Sequence, residues 1–124
     1  KEKLEKFERH VEERGVDVKK AFKEADKVVD SIYEDAQGAL KEGGLNEMEK
    51  WAEGFRENPS AELIELLSEH FKVFEGLRRE DIREKLKECP CNPYEYAKKG
   101  KTGILEYIFN LIIWAIEKNL QKKG

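Results

Sequence analysis

The amino-acid sequence predicts an all-α protein, a compact bundle of about five to six helices that ends in a very apolar C-terminal helix. Three observations lead there. Apolar residues recur at spacings of three and four along most of the chain, and no stretch alternates with period two for long enough to make a strand. Glu occurs 22 times and Lys 18 times, while Ser occurs three times and Thr once, a balance that favours helix over sheet. From Ile104 to Ile116, eleven of thirteen residues are apolar.

The elements follow in order. A short helix is expected over about 1–13, with Leu4, Phe7 and Val11 on one stripe and a stop near Gly15. A second helix follows Asp17 as N-cap. Val18, Phe22, Ala25, Val29, Ile32, Ala36 and Ala39 trace a heptad seam in it, broadened by Ala21, Val28, Tyr33 and Leu40. Gly43-Gly44 supply its stop. A third helix begins after Asn46, with Glu49 as the reciprocal half of a capping box and Met48, Trp51, Ala52 and Phe55 on one face.

Asn58-Pro59 read as a cap with proline at the first helical position. The fourth helix then runs to about Glu75, with Leu63, Ile64, Leu67, Phe71 and Phe74 inward and Gly76 ending it. A fifth, over about 78–88, rests on Ile82 and Leu86, backed by Leu77, and stops at Pro90. Residues 90–102 read as irregular, with room for one helical turn after Asn92-Pro93. The whole of 1–124 is expected to be a single helical domain.

The last helix differs in kind. Thirteen residues rise about 20 Å, short of the roughly 30 Å hydrocarbon layer, so no membrane span is predicted. Ile104, Ile108, Leu111, Ile112 and Ala115 form its primary face, and Glu106, Asn110 and Glu117 a narrow polar stripe opposite. Tyr107 and Trp114 lie on one flank, Phe109 and Ile116 on the other, and Ile113 within the polar stripe. Five other helices are a thin coat for such a helix, so Tyr107, Phe109, Ile113, Trp114 and Ile116 are expected at an interface. The partner is a second copy, in a homo-oligomer such as a dimer, or another protein.

Basic and acidic residues number 24 and 27, a formal charge of −3, which leaves no global basic field for nucleic acid. Two local clusters keep that alternative open: Tyr94 and Tyr96 beside Lys98, Lys99 and Lys101, and Arg78, Arg79 and Arg83. On that reading the chain is a small helical subunit of a ribonucleoprotein or DNA-processing assembly. Lys/Glu enrichment with few Gln residues points to a thermophile. Cys89 and Cys91 flank Pro90, and the short ring a bridge would close makes free thiols the expectation. With no signal-like apolar run in Lys1–Lys6, that predicts a cytoplasmic protein.

Chemistry finds little support in the sequence. Gly100-Lys101-Thr102 echoes the end of a phosphate-binding loop, but Glu95 stands where that loop needs glycine, and no strand precedes it. The Cys-Pro-Cys spacing is shorter than that of a closed zinc site, although two pairs from two subunits could still bridge a metal. Di-iron bundles need Glu-x-x-His, and Phe7 and Leu67 stand three residues ahead of His10 and His70. His10 reads as a surface residue and His70 as a helix-side residue at the core edge. Ser31, Ser60 and Ser68 have no histidine near them in sequence. Glu24, Asp26, Asp30, Glu34 and Asp35 resemble the magnesium-holding acids of helical pyrophosphohydrolases, but Lys23 and Lys27 interleave with them and favour a solvated face. No enzyme class, catalytic residue, metal or cofactor is predicted.

Overall fold

A computed structural model describes residues 18–118. All regular structure among them is helical: α1 (Val18–Glu57), α2 (Ala61–His70), a 3₁₀ turn (Lys72–Phe74), α3 (Arg79–Leu86), α4 (Pro93–Ala97) and α5 (Lys101–Lys118). The predicted helix over 1–13, with Leu4, Phe7, Val11 and His10, lies outside the described residues, as does the Asp17 cap.

The second and third predicted helices are two arms of α1. Gly43 and Gly44 leave helical geometry between them, Gly44 with φ of 73° and ψ of −159°. That is a backbone setting side-chain-bearing residues rarely adopt, so the stop read from Gly43-Gly44 is a break after which helix resumes at once. In the first arm Ala25, Val29, Ile32 and Ala36 of the seam are buried, with Ala21 and Val28 beside them, while Phe22 and Ala39 are half-buried. Met48, Ala52 and Phe55 are buried in the second arm.

α2 starts later and ends earlier than the sequence suggests. Ser60, not Asn58, is its N-cap, its Oγ accepting from the Leu63 backbone N–H at 3.3 Å. The helix stops at His70 because Phe71 turns extended, with φ of −128° and ψ of 118°. The extended step and the 3₁₀ turn after it carry Phe71, Val73 and Phe74 into the core. α3 keeps its two anchors, Ile82 and Leu86, buried.

The stretch read as irregular contains α4. Asn92 caps it, its Oδ1 accepting from the Tyr94 N–H at 3.1 Å, and Pro93 opens it. α4 packs against both α1 and α5, and α5 also packs on α1. Ala97 of α4 meets Ala36 and Met48 of the two α1 arms in a small cluster of their own. Gly103, in the first turn of α5, lies so close to the Tyr96 carbonyl and the Lys99 Cβ that a side-chain carbon there would overlap them. α5 begins at Lys101, ahead of the Ile104 at which the apolar run starts, so Thr102 lies inside it.

The cysteines correct the expectation of free thiols. Cys89 and Cys91 are joined in a disulfide, with Cα atoms 5.3 Å apart, inside the span a bridge needs. Both residues face the core. The Arg56 guanidinium donates to the Cys89 carbonyl at 3.0 Å and ties this turn to the second arm of α1.

The contact at Gly103 sets a test of the fold. Gly103→Ala must push α4 away from α5 and is expected to cost about 1–3 kcal/mol of unfolding free energy by denaturant titration. A glycine-to-alanine change at exposed Gly38, which has nothing nearby, is expected to be neutral or stabilising in the same assay.

Candidate functional site

Three surfaces carry the sequence expectations or a chemistry the sequence hid. The first is α5. Tyr107 and Ile113 are 4% and 6% exposed, so both belong to the chain's own core and offer little surface to a partner. Phe109, Trp114 and Ile116 are half-buried and pack against the same core. A run of rings, Trp51, Phe55, Tyr107 and Tyr96, joins the second arm of α1 to α5 and α4, with centroids 5.4, 6.1 and 5.6 Å apart in turn. Asn110, read as part of a polar stripe, donates from its side-chain amide to the Tyr96 hydroxyl at 2.9 Å. Its polarity is used inside the fold, to pin α4 to α5.

The second surface is the Tyr/Lys segment. The structure brings each lysine onto an aromatic ring: Lys98 over Tyr94 at 4.6 Å, Lys99 over Tyr96 at 5.9 Å and Lys101 over Tyr33 at 5.5 Å. Lys98 also pairs with Glu95 at 3.2 Å, and Lys101 with Asp30 at 3.0 Å. The Asp30 hydrogen bond raises the pKa of Lys101 above the ordinary lysine value. Tyr96 is committed to Tyr107 and Asn110, so it is not free to stack on a base. Arg78 pairs with Asp81 at 3.4 Å and Arg79 with Glu65 at 3.2 Å. Their helix α3 packs on α2, whereas α4 packs on α1 and α5. The Arg83 Nε is buried without a hydrogen-bond partner among the described residues. The two basic clusters are therefore built largely into local ion pairs and ring contacts.

The third surface lies where the first arm of α1 runs beside α2. His70, the last residue of α2, is buried, and its Nε2 stands 2.5 Å from Glu24 Oε2 and 3.9 Å from Glu69 Oε2. The hydrogen bond to His70 holds the Glu24 carboxyl below its ordinary pKa. Both glutamates line a groove of about 200 Å³ with Glu62, Glu65 and Lys27. In the sequence Glu24 stands among interleaved charges that suit a solvated face, and 46 residues separate it from His70. One signal was available: the α1 stripe that buries Ala21, Ala25 and Val28 puts Glu24 at its edge. The other acids grouped with it, Asp26, Asp30, Glu34 and Asp35, are exposed. The Cys89–Cys91 bridge removes both thiols from any metal reading.

Among the described residues no helix is long and apolar enough to cross a membrane. No protein family, curated protein or solved structure matches the chain.

Burial of Tyr107 has a pH signature. Desolvation pushes its phenol well above the ordinary value near 10, against a smaller downward pull from Arg56. Above about pH 10 the unfolded chain releases a proton that the folded chain keeps, so stability falls as pH rises. Tyr107→Phe is expected to lose less stability than the parent between pH 9 and 11, read by denaturant midpoints. Its absorbance titration is expected to lack the latest of the four phenolate transitions.

Proposed function

We propose that the chain is a non-enzymatic helical interaction module that pairs with a second copy along one flank of α5. A strip of half-buried apolar side chains carries this reading. Leu105, Phe109 and Ile116 fall within about 40° of one another around α5. Phe22 of α1 stands edge-on to Phe109, with centroids 6.1 Å apart. All four are half-buried, while Ile104, Ile108, Leu111 and Ile112 on the inward side are fully buried. Among the described residues the one large hydrophobic that is more exposed is Leu45, alone beside the Gly43–Gly44 break.

The charge beside the strip suits a second copy. Asp26, Asp30, Lys101 and Thr102 surround Leu105, with Lys101 paired to Asp30 at 3.0 Å. This end carries both signs and no strong net field, which fits another copy of the same surface better than a strongly acidic or basic partner. The same reading places the module in the cytoplasm of a thermophile. Lys/Glu enrichment supports that source; the Cys89–Cys91 bridge removes the free-thiol argument for the compartment and fits a cytoplasm only in a hyperthermophile, where intracellular disulfides are common.

Light scattering coupled to size exclusion at two protein concentrations tests the pairing, with Leu105→Glu/Ile116→Glu as the disrupting variant. The parent is expected at twice the chain mass at the higher concentration, and the variant at one chain mass with its helical spectrum and cooperative melting kept. A parent at one chain mass throughout, or a folded variant at the parent's mass, would contradict the reading. Ile113 is the wrong position for this test, because a charge there enters the core.

A further inference from the structure

Two carboxylates and an imidazole converge beside the end of α2. One donor atom each from Glu24, Glu69 and His70 lies within 4.8 Å of the other two. Three features of the cluster point to a cation.

The first is the histidine. The core fixes the imidazole of His70, which is 5% exposed, and leaves Nε2 as the nitrogen that can take a metal, rather than Nδ1, which is buried with no hydrogen-bond partner among the described residues. Its engaged nitrogen, Nε2, is aimed at the two carboxylates. The second is charge. Glu24, Glu62, Glu65 and Glu69 line the groove against the single ammonium of Lys27. Glu62 accepts from the Ser31 hydroxyl at 2.8 Å and Glu65 from Arg79 at 3.2 Å, so these two have partners outside the cluster. Glu24 and Glu69 share His70. The third is spacing. Tetrahedral ligands with metal bonds of 2.0–2.2 Å stand about 3.4 Å from one another. Glu69 already lies 3.9 Å from Nε2, and Glu24 must move out from 2.5 Å. Both glutamate side chains are exposed enough to make that adjustment, at 34% and 58%.

We propose that Glu24, Glu69 and His70 bind one divalent cation of the zinc class, clamping the first arm of α1 to the end of α2. An imidazole with two carboxylates suits zinc or cobalt better than magnesium or calcium, which prefer all-oxygen shells. Three protein ligands leave a fourth position for water on the side of the groove, the pattern of an open rather than a closed zinc site.

Equilibrium dialysis of the chelator-stripped full chain against Zn²⁺ tests this, with Mg²⁺ as the comparison cation and Co²⁺ absorption as a report on coordination. The expected result is one Zn²⁺ per chain, no stoichiometric Mg²⁺, and a rise in melting temperature on adding Zn²⁺. Glu69→Gln and Glu24→Gln are each expected to weaken Zn²⁺ binding about tenfold or more, and to remove most of the thermal shift. These two variants carry the test because His70 is buried and His70→Ala risks the fold. Absence of stoichiometric Zn²⁺ binding, or binding that survives both glutamate substitutions, would overturn the proposal.

Discussion

The fold depends on burying α5, a helix with apolar side chains almost all round. Such a helix has no stable place at the surface of a chain this size, and the other elements are arranged as its sheath. α1 supplies two walls from one long helix because the backbone breaks at Gly43–Gly44 and lets the second arm take a new line. α4, only five residues long, fits against both α1 and α5 because residue 103 has no side chain. The extended step at Phe71 and the 3₁₀ turn after it send two phenylalanines and a valine into the remaining space. Local irregularities are where this chain meets the demand made by its most apolar segment.

Polar groups taken into the sheath act as pins between elements. Asn110 reaches the Tyr96 hydroxyl, Arg56 reaches the Cys89 carbonyl, and His70 reaches Glu24. The last two join segments 33 and 46 residues apart and the first joins neighbouring helices, and each gives a buried or half-buried polar atom a partner that water would otherwise supply. The bond to Tyr96 gives the Asn110 amide, on the side of α5 away from its primary face, a partner on α4. The aromatic run from Trp51 to Tyr96 does similar work without polar atoms, holding the second arm of α1 over α5.

Much of this was legible in the sequence where the cause is local. Three-and-four spacing marked the inward face of the first α1 arm, and Asn92-Pro93 marked α4 through its cap. Ile82 and Leu86 marked the buried side of α3. What escaped was decided by tertiary contact. Ile113 falls on the polar side of a helical wheel, yet it is buried, because a wheel cannot show how far a sheath wraps. Ser60 displaced Asn58 as a cap through a hydrogen bond that either residue type could have offered. The Cys89–Cys91 bridge depends on how the chain turns at Pro90, which spacing alone does not determine. Glu24 and His70 each looked ordinary, and only the packing of α1 against α2 makes them a pair.

The central claim is that α5 is sheathed by its own chain, and native-state hydrogen exchange tests it most directly. At a concentration where the mass is that of one chain, the amides of residues 108–115 should exchange only through global unfolding, as slowly as the slowest in the molecule. Exchange of those amides at an opening free energy well below the global value would contradict the account, because it would mean that the inward face of α5, and not only the half-buried strip on its flank, needs a partner.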